Sequence, residues 1–348
     1  MRPTSLLYSA SLRTSRHQTR LSPPILGRTS VGRRALPDVS ARFLAVLALV
    51  AANVIWGTTF VATKPLLDRI PPLTLASGRF AVALLVLLPV LAHSGRRPVL
   101  NRTTALMGFV GVFVVYVCQN LGLRYTGAAN GALIHGGIPV LTTLIAALAL
   151  GERFGRGRLA GLALSLTGVA AVVLLGHGGR LGLSAVGDGL VLLSALALAA
   201  YFVLGRRAFP GGSSLDLVAG VAVWGLLFLL PASGIELGLE GMGRPTAGDL
   251  LGLLYLGAAA SALAFMLWAH GLRHLEAGQA AVFANLNPLV GVGVAALLLG
   301  ERVTPTQVGG GLLILAGVWL ATRQPASTGS EPIAPTMAAP SLAGSAAD

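Results

Sequence analysis

A small set of polar, ionisable and aromatic residues interrupts stretches of this sequence that are otherwise almost wholly apolar. Arg79 is the most informative, because a charge inside an apolar helix is costly and normally faces a bundle interior or a water-filled cavity. Its guanidinium suits the carboxylate of an amino-acid-like solute, and equally a structural bond to helix-end carbonyls. Other candidates for solute contact, taken by the same criterion, are Asn53, Trp56, Tyr116, Gln119, Asn120, Asn130, His135, Tyr201, Ser261, Trp268, Gln279, Asn285 and Asn287.

Two prolines mark where helices would break near these residues. Pro139 follows His135 by one turn, and Pro288 follows Asn287 directly. Proline leaves a backbone carbonyl without its helical partner, and within a bilayer that carbonyl must find another donor or line a cavity. We expect both prolines at helix breaks or gates. The amides have a plainer alternative, which is a hydrogen bond between helices worth about 1 kcal/mol.

Several kinds of chemistry are disfavoured by what the sequence lacks. Cys118 is the only cysteine and has no ordered His and acid partner, and there is no H-E-x-x-H pair, so we predict neither an enzyme nor a metal or cofactor site. A G-x-x-x-x-G-K-[ST] phosphate loop is also missing, which argues against an ATP-driven pump. No acid lies near mid-segment, which leaves His135 as the one titratable candidate for proton coupling.

Composition places the chain in a lipid bilayer. Apolar residues make up 54% of the sequence and charged residues 11%, too little polar surface to coat a water-soluble globule of this length. The net charge of +13 does not indicate nucleic acid, because no basic face is interleaved with aromatic residues. Ten apolar segments are long enough to approach a membrane span, at about 43–62, 73–92, 104–123, 128–150, 159–175, 186–204, 215–231, 250–270, 277–299 and 308–321.

The sequence also contains an internal duplication. Residues 122–169 match residues 271–318 without a gap, and the motif Leu-Gly-Glu-Arg occurs at Glu152 and Arg153 and again at Glu301 and Arg302. These two acid–base pairs follow a segment end, where we interpret them as interfacial salt bridges or helix caps. Five segments per copy is an odd number, so the second copy would enter the membrane from the opposite face and the halves would be inverted repeats.

Loop charge predicts the orientation, because Lys and Arg accumulate on the cytoplasmic side. Counting alternate loops, the arginine-rich side includes both termini and carries Arg96, Arg97, Arg102, Arg153, Arg156, Arg158, Arg206, Arg207, Arg273 and Arg323. We therefore predict an all-α integral membrane protein with ten transmembrane helices and both termini cytoplasmic. Its parts are a disordered tail (1–42), a first five-helix repeat (43–176), a connector (177–185), a second repeat (186–322) and a disordered tail (323–348).

Short motifs carry a resemblance to a known family. Trp56-Gly57 before Lys64, Pro71-Pro72 before Arg79, and the doubled Pro139/Glu152 and Pro288/Glu301 segments resemble the EamA-type repeats of the drug/metabolite transporter superfamily. The resemblance covers about residues 43 to 322. It implies a two-repeat carrier in the cytoplasmic membrane, whose relatives move amino acids, other metabolites or drugs, frequently outward. The second half lacks the Trp-Gly pair and a counterpart of Arg79.

We therefore expect a secondary carrier that works by alternating access between inverted repeats, and that exports a small solute. A lipid flippase or a membrane partner protein without transport activity remains the alternative. The expected partners are a small-molecule substrate and the bilayer, and the sequence leaves homo-oligomer formation open.

Overall fold

The computed structural model describes residues 39–150, 155–175, 183–208, 215–274 and 283–323, and within these ranges all regular structure is helical. The helices are α1 (Val39–Gly57), α2 (Thr59–Leu66), α3 (Pro72–His93), α4 (Arg102–Gly108), α5 (Val115–Tyr125), α6 (Ala128–Gly136), α7 (Ile138–Leu150), α8 (Arg156–Leu175), α9 (Leu183–Ala208), α10 (Leu215–Glu240), α11 (Ala247–Leu254), α12 (Ala264–His274), α13 (Leu286–Leu298) and α14 (Pro305–Arg323). Two π-helical turns, Phe109–Val114 and Tyr255–Leu263, join α4 to α5 and α11 to α12.

Seven continuous apolar helices in the described ranges are long enough to cross a bilayer, and the bent pair α6–α7 would make an eighth. The segments Leu286–Leu298 and Pro305–Ala321 are apolar but shorter. Each of the ten predicted segments thus contains helix, and the count of ten spans stays a prediction. Large apolar side chains are widely exposed, as at Leu239 (81%) and Leu297 (83%), which fits a surface that faces lipid.

One predicted boundary is wrong. The helix α10 continues to Glu240, well beyond Pro231, where the seventh predicted segment ends. The helix tolerates this proline in its interior, and the following residues Ile235, Leu237 and Leu239 remain apolar, so the segment stays suited to a bilayer.

The helices begin at recognisable caps. Asn101 and Thr104 form a reciprocal capping box at the start of α4, and Thr246 and Asp249 form another at the start of α11. A third reciprocal pair, Thr304 and Gln307, opens α14. A residue of another helix caps α3: Glu236 on α10 accepts hydrogen bonds from the backbone N–H groups of Leu73 and Thr74 at 2.8–3.0 Å.

Glycines allow α8 and α14 to pack with their backbones in contact. A Cβ on Gly161 would lie 2.7 Å from the carbonyl oxygen of Gly317, and one on Gly168 would lie 2.6 Å from that of Gly310. Such spacing leaves no room for a side chain, so small residues are required at this crossing. The other main helix contacts pair α3 with α10, α5 with α9, α1 with α12 and α6 with α13.

The two ends of the bundle differ in charge. At the first, which we call the acidic end, Arg69 pairs with Asp249 at 3.6 Å and Arg124 with Glu240 at 2.7 Å; Asp188, Glu236 and Glu301 also lie here. At the opposite end, the arginine end, Arg96 pairs with Asp216 at 2.7 Å. Arg97 and the helix ends that carry Arg102, Arg156, Arg206 and Arg207 also lie at this second end.

Candidate functional site

A cavity of about 270 Å³ lies in the middle of the bundle. Its wall combines residues from α1, α2, α3, α5, α6, α7, α9, α10, α12, α13 and α14 with residues of both π-helical turns. On α9 and α10 the lining residues, such as Leu198, Arg206 and Val218, lie on the halves that lead to the arginine end. The cavity therefore extends from mid-bundle toward the arginine end.

Most of the predicted contact residues line this cavity. They are Asn53, Trp56, Arg79, Tyr116, Gln119, His135, Tyr201, Ser261, Trp268, Asn285 and Asn287, together with Pro139 and Pro288. They come from eight different helices and one π-helical turn, so tertiary packing assembles them.

Arg79 is the only mid-helix cation of α3, and its side chain is only 4% exposed. Its Nε donates to Ser261 Oγ at 2.6 Å, and Ser261 in turn donates to the carbonyl of Leu256. The guanidinium carbon lies 4.6 Å from the centre of the Tyr116 ring, a cation–π contact. These contacts hold one edge and one face of the guanidinium in place.

Aromatic rings form much of the remaining wall. Trp56 packs against Phe265 and Trp268 with ring centres 5.2 and 5.5 Å apart, and its indole N–H donates to the carbonyl of Ala260. Phe60 meets His135 edge-on at 4.8 Å. This lining can bury an apolar part of a ligand, while the indole and imidazole groups remain oriented by their own contacts.

The two helix breaks lie against each other at the cavity wall. The axis bends by 41° between α6 and α7, next to Pro139. A Cβ on Gly136 would lie 3.1 Å from Pro288, so the broken helices of the two halves pack here in direct contact. Asn287, beside Pro288, has a buried Oδ1 that no described residue reaches with a hydrogen bond. The break thus brings polar groups to the cavity wall. Irregular backbone inside a membrane is tolerated only where it is buried in protein or lines a cavity.

Some predicted residues lie elsewhere. Asn120 donates to the carbonyl of Pro72, and Asn130 donates to Asp188, and neither lines the cavity. Arg302 is exposed. Gln279, Glu152 and Arg153 lie outside the described residues.

Glu301 joins the two halves of the chain at the acidic end. Its carboxylate accepts from the backbone N–H of Ala128 at 2.8 Å and of Ala129 at 2.9 Å, so it caps α6 from the loop after α13. This is a helix cap of the kind predicted for the duplicated motif, made across the bundle rather than within one hairpin. The negative charge also lies at the positive end of the α6 dipole.

Further contacts hold the same turn between α5 and α6. Lys64 Nζ donates to the carbonyls of Leu123 and Thr126, at 2.5 and 2.7 Å. Asp188 on α9 accepts from the Thr126 hydroxyl and from Asn130 Nδ2. Gln307 Nε2 in turn donates to Asn130 Oδ1. We call this set of residues, Lys64, Asn130, Asp188, Glu301 and Gln307, the α5–α6 latch. No latch residue lines the cavity, which therefore ends before the acidic end.

Sequence reasoning missed several of these residues. Phe60, Phe80 and Phe265 line the cavity, yet an aromatic residue in an apolar helix carries no distinguishing signal. Asp188 lies close to the start of α9, where the sequence analysis did not single it out, and it is fully buried. The sequence places the polar residues Thr126 and Asn130 at the start of another helix, and these residues could have indicated a buried acid such as Asp188 as their partner. Within the described ranges no group of three or more His, Cys, Asp or Glu could hold a metal ion.

The sequence matches known proteins along most of its length. The model of the EamA-like transporter family matches residues 43–174 and again 185–323. A probable terminal-alkyne amino-acid exporter of Streptantibioticus cattleyicolor is 31% identical, over 80% of this chain and 94% of that protein. A probable amino-acid metabolite efflux pump of Salmonella typhimurium is also 31% identical, over 80% and 93%.

A solved structure supports the fold independently. One crystal structure aligns with a TM-score of 0.58 at 22% identity, covering 80% of this chain and 98% of that chain. Together with the two family matches and the apolar helices, this confirms the resemblance drawn from the sequence motifs. The chain is a multi-pass membrane protein that belongs to the EamA-like transporter family.

Proposed function

We propose that this chain is a secondary carrier that exports small solutes across the cytoplasmic membrane by alternating access. The observation that carries the proposal is the central cavity, because residues of both halves line it and a set of bonds between the halves closes it at one end. Alternating access requires a site between two bodies that separate at one face while they meet at the other.

Inverted repeats would supply those two bodies. The helix pairs α4–α5 and α11–α12 each begin with a capping box and each contain a π-helical turn. The contact of α5 with α9 has a counterpart in that of α12 with α1, while α8 with α14 and α6 with α13 would pair across the symmetry axis. These correspondences support two five-helix units in opposite orientation, with ten spans in all.

Charge supports the orientation. The arginine end would be cytoplasmic, and the acidic end with its α5–α6 latch would face outward. The described conformation would then be closed to the outside, and its cavity would extend toward the cytoplasm, as an exporter requires when it takes up its solute. Both termini would lie on the cytoplasmic side.

The size and lining of the cavity favour a small solute. Its volume of about 270 Å³ lies just below the usual range for ligand sites, about 300–1,000 Å³, and its wall includes Arg79, Gln119 and Asn287. A two-chain lipid would need a longer and more apolar path. The two relatives named above as exporting amino acids or their metabolites support an amino-acid-like solute.

The test compares metabolites inside and outside cells that express either the native chain or the double variant Arg79→Ala, Asn287→Ala at matched membrane levels. Arg69→Gln is a suitable control, because this side chain is 49% exposed at the acidic end and away from the cavity. We expect at least one small solute to accumulate outside with the native chain and the control, and not with the double variant.

Purified protein in ATP-free liposomes then separates transport from indirect effects. We expect the native chain to accelerate counterflow of the solute found in cells. A solute that is depleted from the medium instead would establish uptake and overturn export. If the native chain changes no solute in cells and moves none in liposomes, the carrier function is wrong.

A further inference from the structure

The guanidinium of Arg79 is buried with only part of its bonding capacity used. One of its five N–H groups, on Nε, donates to Ser261, and no described residue accepts a hydrogen bond from Nη1 or Nη2. The side chain is 4% exposed and lines the central cavity. A buried charge without an acceptor is costly, and such a charge at a cavity wall marks a place for a ligand.

Among the described residues that line the cavity, no acid compensates this charge. Aspartate and glutamate are both missing from the described residues that line it, whereas a second arginine, Arg206, lies on the wall nearer the arginine end. The charge of Arg79 therefore makes the potential at this part of the wall positive, which attracts anions and repels organic cations.

The contacts of Arg79 also leave one particular edge available. Ser261 occupies the Nε position, and Tyr116 covers one face of the guanidinium plane. A carboxylate can then approach in the plane and accept from both terminal nitrogens, the paired geometry that arginine favours with carboxylates. Ser261 itself is fixed, because it donates its own proton to the carbonyl of Leu256 at 2.9 Å.

We propose that Arg79, held by Ser261 and Tyr116, is an anion-binding site that accepts the carboxylate of the transported solute. This inference rests on the proposed carrier function and deepens it by naming the class of ligand: monocarboxylates with a compact apolar body, including zwitterions, and not organic cations. The aromatic wall around Trp56 and Phe265 takes the apolar body. Arg79 thus determines specificity, and cationic drugs are excluded.

Binding of three matched probes to the purified full chain in detergent tests the assignment. The probes are L-leucine, 4-methylpentanoate, which lacks the amine, and 3-methylbutylamine, which lacks the carboxylate. By calorimetric titration we expect the two carboxylates to bind and the amine to bind at least about tenfold more weakly, given the usual strength of a bidentate charged contact. Comparable binding of the amine, or no binding of either carboxylate, overturns the site.

Variants assign the effect to Arg79. Arg79→Gln should weaken 4-methylpentanoate binding by about 10- to 100-fold, while Arg69→Gln leaves it unchanged. If Arg79→Gln does not fold, Arg79→Lys serves instead: it keeps the charge but loses the fork, and we expect binding intermediate between native and lost. Native-like binding by the variant used would overturn the role of Arg79.

The outcomes for the two proposals are separable. Counterflow in liposomes by the same native preparation judges the carrier function, whatever the charge of the solute that moves. Carboxylate binding that depends on Arg79, without any transport, would leave the anion site in place and reject the carrier. Transport of the amine would do the reverse.

Discussion

Replacing Glu301 with glutamine should loosen the α5–α6 latch without changing the size of the side chain. Both oxygens of the carboxylate accept a backbone N–H, from Ala128 at 2.8 Å and from Ala129 at 2.9 Å. Glutamine has one oxygen, so one N–H loses its acceptor. A hydrogen bond to a charged group contributes about 1.5–3 kcal/mol, and the helix dipole adds about 0.3–1 kcal/mol. The equilibrium should therefore move toward the form that is open at the acidic end by about 20- to 900-fold.

Labelling of a single cysteine in the cavity measures this shift. Thr59 lines the cavity and is 7% exposed, so Thr59→Cys in a Cys118→Ala background reports access from the acidic end to an impermeant maleimide. We expect Glu301→Gln to raise the labelling rate by about tenfold or more, since the rate follows the population of the open form.

The matched control is Glu240→Gln at the same end. Glu240 pairs with Arg124 at 2.7 Å but is 48% exposed, and such surface pairs contribute only about 0–1 kcal/mol. We expect its labelling rate to change by less than about fivefold. If Glu301→Gln folds normally and labels at the native rate, then Glu301 is a helix cap that does not take part in opening, and the latch is wrongly assigned.

Three further substitutions test the packing and the polar contacts. Gly168→Ala should lower the unfolding temperature in detergent by an amount equivalent to about 1–3 kcal/mol, because its Cβ would lie 2.6 Å from a backbone oxygen. Gly309→Ala, which has open space around it, should leave the unfolding temperature unchanged or raise it. Equal effects of the two variants would contradict the close α8–α14 packing. Lys64→Met removes the donor to two helix-end carbonyls and should cost about 1.5–3 kcal/mol, measured by the same melting assay, with unchanged melting as the contrary result. Asn287→Ala should reduce counterflow of the transported solute without lowering stability, since its Oδ1 makes no hydrogen bond with any described residue; a clear loss of stability would assign Asn287 to the fold instead.

The sequence predicted the helices better than their ends. Apolar length placed helix in all ten expected segments, and family membership followed from short motifs at Trp56, Arg79 and the Pro139 and Pro288 breaks. It placed the end of α10 too early, because a proline in an apolar segment looks like a helix end when the packing around it is unknown. It did not single out Asp188, since burial of a residue near a helix start depends on what packs above it.

Candidate contacts were partly predictable because polar groups inside apolar helices are costly and need partners. That criterion selects residues, but it does not separate a ligand contact from a bond between helices. Gln119 reaches the cavity, whereas its neighbour Asn120 donates to a carbonyl of α3, although the two are adjacent in sequence. The direction in which each helix face points settled the difference.

By itself the sequence determined the membrane setting, the helical class and the family, because these follow from local hydrophobicity, chain length and repeated motifs. Tertiary structure decided which residues act together. Arg79 meets Ser261 across 182 positions and Ala128 meets Glu301 across 173, and contacts at such separations depend on how the helices pack against one another. Packing determines these contacts because a hydrogen bond spans only about 3 Å, so a small rotation of a helix changes which partner a side chain reaches. The sequence alone does not distinguish between those partners.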